Sequence, residues 1–108
     1  MNGVSEPEFE KAADVELHRL VEALDEVGDA IDAELQMGVL NIVFESGTKF
    51  VVNSHRAARQ IWMAADRRAW HFDLRDGRWL TSPEDQELWH ELSAVLSSEL
   101  GRTVQLVR

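Results

Sequence analysis

Glu10, Asp14, His18, Glu22 and Glu26 recur at a strict interval of four residues, with Asp25 beside the row and Asp29, Asp32 and Glu34 following it. An interval of four places side chains on one face of a helix, so these residues form a line of carboxylates broken by one imidazole. Carboxylate oxygens are hard ligands, suited to weak and labile binding of divalent or trivalent cations. The same line would steer and orient a basic protein partner. Acid–base catalysis would need a pocket that shifts a pKa, and a row on a convex helix gives none. The plain alternative is a solvated face that serves only solubility.

The overall charge follows the same distribution. The chain has 108 residues and a net charge of -9, all of it within residues 1–36, where 11 Asp and Glu face 2 Lys and Arg. Residues 37–108 hold 9 of each. Like charges four apart on a helix cost a few tenths of a kcal/mol per pair, so a concentrated anionic segment calls for a cation or a basic partner.

Composition excludes several classes. A pI near 4.8 argues against nucleic acid as a partner, because that affinity rests on Lys and Arg, and equally against an anionic membrane surface. There is no Cys, hence no disulfide framework, thiolate zinc site, cysteine-held iron–sulfur cluster or cysteine nucleophile. Glu6, Glu8 and Glu10 stand where a signal peptide would be basic and then apolar, and no apolar run approaches the roughly 20 residues of a membrane span. A cytoplasmic location is expected. Phosphate-binding glycine loops, nucleophile elbows and His-x-x-x-His pairs are absent, so no enzymatic activity is expected.

The elements that position the carboxylates can be read from periodicity. Ser5-Glu6-Pro7-Glu8 forms a capping box, and Phe9, Ala13, Leu17, Leu20, Val21 and Leu24 are the apolar stripe of a helix from about Glu6 to Glu26, with Gly28 as its left-handed cap. The period then becomes two. Ile31, Ala33 and Leu35 alternate with Asp32, Glu34 and Gln36, which predicts a strand with one buried and one acidic face. Val39–Phe44 and Lys49–Asn53 form a hairpin around Glu45–Thr48. Gln60–Ala65 and Trp70–Leu74 are further strands, and Asp76-Gly77 turns into Arg78–Leu80. A second helix is expected to open with Ser82 as cap, Pro83 as first residue and Asp85 closing a capping box. Its stripe is Leu88, Trp89, Leu92, Val95, Leu96 and Leu100, and Gly101 stops it. Thr103–Val107 would lie extended against the layer. The fold class is α+β, a two-layer α-β sandwich in a single domain over residues 1–108, with two helices on one face of an antiparallel sheet of about six strands.

Trp62 alternates away from Ile61 and Met63, which places it with Gln60 on the open face of the sheet as an interface anchor. His71 and Asp73 would form a polar pair on the outer face.

Taken together, the acidic first helix and strand, the Gly38-Val39-Leu40-Asn41-Ile42-Val43-Phe44 hairpin running to Gly47-Thr48-Lys49, then Asn53, Gln60-Ile61-Trp62-Met63-Ala64, His71-Phe72-Asp73 and Trp79 resemble the frataxin family in its short bacterial CyaY type. The resemblance implies the frataxin fold and a non-enzymatic role in iron–sulfur cluster assembly, as an iron chaperone or regulator. It implies weak, labile binding of iron (Fe2+ or Fe3+), with other divalent cations possible, on an acidic ridge at Glu22, Asp25, Glu26, Asp29, Asp32 and Glu34, with Asp14 and His18 as neighbours. It also implies docking, as a monomer, on a cysteine desulfurase and an iron–sulfur scaffold protein, through the ridge and a sheet surface at Asn53, Gln60 and Trp62. The rival expectation is an acidic docking adaptor with no physiological metal role. The chain departs from the family pattern at His55 and Ala57, where x-Gln-x-Pro is usual, and at Arg68-Ala69, where most bacterial members carry Gly-Gly. With Arg67, that pair would form a basic loop tip. Val21, Ala23 and Ala30 thin the ridge near its centre.

Overall fold

The computed structural model describes residues 4–108. Its elements run α1 (Glu6–Asp25), β1 (Ile31–Gln36), β2 (Val39–Phe44), β3 (Lys49–His55), β4 (Gln60–Ala65), β5 (Arg68–Arg75), β6 (Arg78–Leu80) and α2 (Leu88–Leu100). The six strands form one sheet in chain order, every neighbouring pair antiparallel, with β1 and β6 at the edges. Chain order follows from the short connections. Met37-Gly38, Asp66-Arg67 and Asp76-Gly77 all have both residues at positive φ, the conformation a two-residue hairpin loop needs to match strand twist. At Gly38 a side chain is also excluded sterically, since a Cβ there would lie 2.7 Å from Ser54 Oγ.

One face of the sheet is covered by both helices. Phe9, Ala13, Leu17, Leu20 and Leu24 of α1 and Leu88, Leu92 and Leu96 of α2 pack on Leu40, Ile42, Phe50, Val52, Ile61, Met63 and Phe72, all buried. Phe9 meets Trp79 edge to face, with ring centroids 6.0 Å apart. Burying each of the larger of these side chains, Val, Leu, Ile, Phe or Met, contributes roughly 1.5–3 kcal/mol. This is the two-layer sandwich that the periodicities predict.

α1 starts as expected, with Ser5 Oγ accepting the Glu8 N–H at 3.3 Å. Its end differs slightly: Glu26 is the last capping residue in right-handed conformation, and Gly28 turns left-handed two residues later. α2 requires a larger correction. It does not open at Ser82; Glu87 is its cap, its carboxylate accepting from the Trp89 and His90 N–H groups at 2.9 Å each. Residues 81–86 instead close a turn on Thr81, whose N–H reaches Gln86 O at 2.9 Å while its Oγ1 accepts the Gln86 N–H at 3.0 Å. Asp85 has a left-handed backbone and binds Arg75 at 2.6 Å, so it closes no capping box. β5 is also longer than predicted. Arg68 and Ala69 are strand residues paired with Ala65 and Ala64, so the loop tip is Asp66-Arg67 alone. Arg68 lies over the Trp70 ring at 4.3 Å, a cation–π contact that holds it along the strand.

The tail, residues 103–108, forms no helix or strand and packs on α2. Val104 and Leu106 are buried, and their N–H groups donate to Ser97 Oγ at 2.8 Å and Ser93 Oγ at 3.0 Å on α2.

Candidate functional site

The stripe that buries Leu17, Leu20 and Leu24 turns Glu22, Asp25 and Glu26 outward at the C-terminal end of α1. Asp29 follows in the connection and Asp32 and Glu34 in β1, and all six are exposed. Among the described residues none of the six is in an ion pair; the four pairs present join His18 to Asp14, Arg56 to Glu10, Arg75 to Asp85 and Arg108 to Glu16. The last turn of α1 has no basic residue. A helix C-terminus already carries a partial negative charge, so carboxylates there add to the potential instead of offsetting it. Arg19 and Arg102 flank the inner side: Arg19 shares a cavity of about 240 Å³ with Glu22 and Glu26, and Arg102 reaches Val27 O at 3.4 Å.

The acidic residues are divided by the sheet edge. Ile31, Ala33 and Leu35 face the helices, so Asp32 and Glu34 point to the opposite face of β1. β1 is an edge strand, and the charge therefore wraps around that edge. His18, within the row, lines one shallow cavity with Glu22 and Leu35, and its Nδ1 lies 2.8 Å from the Asp14 carbonyl oxygen. No group of three or more His, Asp or Glu among the described residues is arranged to hold a metal ion in a cage.

A second feature lies on the open face of the sheet. Trp62 sits opposite Asn53 on β3 and His71 on β5, and its indole N–H donates to Gln60 Oε1 at 2.8 Å. Gln60 in turn donates to Asp73 Oδ1 at 2.9 Å, and Ser82 Oγ donates to Asp73 Oδ2 at 3.3 Å. Asn53, Gln60 and Trp62 are thus brought together. The exposed Trp62 expected from alternation is, however, half-buried. His55 stacks on one face of its indole at 3.7 Å and 12°, and His71 on the other at 4.3 Å and 11°. His71 therefore belongs to Trp62, and Asp73 to Gln60, instead of forming a pair of their own. The signal for this was present in the chain. A two-residue turn at 66–67 forces Trp62 opposite His71, and His55 opposite Gln60 is one diagonal step from Trp62.

No helix among the described residues is long and apolar enough to cross a membrane. A sequence model of the frataxin-like domain matches residues 2–102. The iron–sulfur cluster assembly protein CyaY of Ralstonia nicotianae is 33% identical over 111 residues, covering 99% of this chain and 98% of that protein. The frataxin of Psychromonas ingrahamii superimposes with a TM-score of 0.88 at 26% identity, covering 97% of this chain and all of that one. A trimeric frataxin of Saccharomyces cerevisiae complexed with ferrous iron superimposes at 0.66, with 28% identity, over 83% of this chain and 82% of its own. With its helices, six-stranded sheet and nearly full-length matches, the chain belongs to the frataxin family, in its bacterial CyaY type.

Proposed function

We propose that this protein is an iron-binding regulator and iron chaperone of iron–sulfur cluster assembly, docking on the complex of cysteine desulfurase and scaffold protein. The observation that carries this is the set of exposed, unpaired carboxylates Glu22, Asp25, Glu26 and Asp29 at the negative end of α1, continued by Asp32 and Glu34 around the sheet edge. Open carboxylates without a cage suit Fe2+ or Fe3+, or another divalent cation, held weakly enough to be handed on. Asp14 and His18 stand as outlying members. The same negative surface suits a basic groove on the desulfurase, and Asn53, Gln60 and Trp62 offer a second contact for the scaffold. The protein acts without catalysing a reaction, as a single-domain monomer in the cytoplasm. It contacts neither nucleic acid nor membrane.

The same row of exposed carboxylates outside any ion pair also suits a second reading, an adaptor whose ridge binds a basic partner and has no physiological metal role. Reversing Asp25, Glu26 and Asp29 to Lys, then measuring iron binding and desulfurase binding on the same protein, separates the two. Loss of both supports the chaperone. Loss of desulfurase binding alone, or NMR signals of the ridge unmoved by millimolar iron, selects the adaptor. Docking through the ridge should weaken steeply as ionic strength rises.

A further inference from the structure

The ridge lies by β1, at one edge of the sheet. At the other edge, where β6 is only three residues long, a cavity of about 430 Å³ lies between α1, the β5–β6 hairpin and the end of the tail. Ala12, Val15, Leu74 and Trp79 give it mostly apolar walls. Trp79 is buried and forms the floor, whereas Val15 stands 42% exposed at the mouth. Ligand pockets are typically about 300–1,000 Å³, largely apolar, with a few polar groups that fix orientation. We infer that this cavity binds a small monocarboxylate with an apolar body, the body lying on these four residues and the carboxylate on the Lys11 ammonium; the inference is independent of the ridge.

The charge of the ligand follows from which lining groups are already engaged. Glu16 binds Arg108 and the Trp89 indole N–H, so both members of that ion pair are neutralised within the fold. Glu8 accepts the Ser5 hydroxyl at 3.0 Å. Lys11 is exposed and, among the described residues, is in neither an ion pair nor a hydrogen bond. An ammonium has three donors and no acceptor, so it selects an anion. Glu8 stays charged at the same mouth, which disfavours a second negative charge and restricts the ligand to one carboxylate. The wider field opposes binding little. Glu10 and Asp14, the nearby carboxylates of α1, are held by Arg56 and His18. Of the six ridge carboxylates, Glu22 is nearest to Lys11 along α1, eleven residues on and about 16 Å along the axis, against a Debye length of about 8 Å at physiological salt.

Octanoate and 3-phenylpropionate, titrated separately into the full chain at pH 7 and followed by NMR, test this. At least one should shift the Val15, Leu74 and Gly77 amides and the Trp79 indole N–H, saturating below about 1 mM, and the tighter of the two tells whether the body is alkyl or aromatic. No saturable shift with either, or shifts confined to other residues, overturns the proposal. 1-Octanol has the same body as octanoate without the charge and should bind about fivefold more weakly, the worth of one exposed ion pair. Lys11→Gln should erase that difference and leave octanol binding unchanged. Equal binding of octanol and octanoate to the wild type, or a preference for octanoate that survives Lys11→Gln, overturns the assignment of the carboxylate to Lys11. Val15→Glu removes an apolar wall and sets a carboxylate four residues after Lys11, so octanoate should bind roughly tenfold more weakly. Both substituted positions are exposed, and unmoved signals of the buried Phe72 and Leu92 show that the variants fold. Unaltered octanoate binding in Val15→Glu places the ligand elsewhere and overturns the proposal.

Discussion

Glu16 in α1 and Arg108 in the tail, 92 positions apart, form an ion pair at 2.9 Å in which the carboxylate is almost wholly buried. Its other oxygen accepts the Trp89 indole N–H of α2 at 2.5 Å, and Arg108 also donates to Gly77 O at 3.1 Å. One carboxylate thus joins both helices, the tail and the turn between β5 and β6. A buried charge is tolerated only while it is paired and hydrogen-bonded, so the pairing should matter more than a surface bridge does.

Arg108→Ala is accordingly expected to destabilise the protein by about 2 kcal/mol. That is below the cost of breaking a fully buried pair, because the guanidinium is partly solvated and Trp89 still serves Glu16. Urea denaturation checks it. Glu16→Gln should lose less, and the double variant should fall short of the sum of the two. Additive losses would mean that the pair is no more than a surface contact.

The ridge should behave in the opposite way. Glu22→Gln with Glu26→Gln removes a like-charge pair four residues apart and two anions from the negative end of a helix. Stability should rise by about 1 kcal/mol, and the gain should shrink in 0.5 M NaCl, where screening already relieves the repulsion. Denaturant midpoints at low and high salt give the answer; a loss of stability would show that these carboxylates make favourable contacts.

These features were unequally legible in the chain. The stripe from Phe9 to Leu24 located α1, and alternation in β1 and β4 located the acidic strand face and Trp62, because burial on one side imposes a period. Glu16 was harder to place. It sits within the stripe, three residues after Ala13 and four before Leu20, but its partners are distant in sequence. The same holds for His55, which takes its place beside Trp62 only through strand register. Ser82-Pro83-Glu84-Asp85 misled for a different reason. It carries the local pattern of a helix start, while Thr81, Gln86 and Arg75 draw those residues into a turn. Local pattern fixes elements, and pairing across the fold decides which candidate cap is used.

That competition can be measured. Glu87→Ala removes the acceptor of two N–H groups at the start of α2 and should cost about 1 kcal/mol. Ser82→Ala loses only a long bond to Asp73 and should stay within about 0.5 kcal/mol. Thermal unfolding of the two variants side by side distinguishes the caps. The reverse order would restore Ser82 as the helix start.

Met37 bears on the hairpin that carries Glu34. It is 95% exposed, yet its backbone is left-handed at φ 52, as the turn with Gly38 demands. A side chain of that size gains nothing there, since it packs on nothing and pays for an unfavourable backbone. Asn tolerates the left-handed region and is the favoured first residue of a two-residue hairpin turn before Gly. Met37→Asn should therefore stabilise the protein by about 0.5–1 kcal/mol with no change in the sheet. Because the turn sets the register of Glu34 against Asn41, the ridge should keep its geometry, and the NMR shifts of Asp32 and Glu34 should stay where they are. A destabilised variant would mean that Met37 suits the turn better than Asn does, and one unchanged in stability but weaker in binding the proposed desulfurase–scaffold partner would mean that Met37 is a contact residue at the tip of the hairpin.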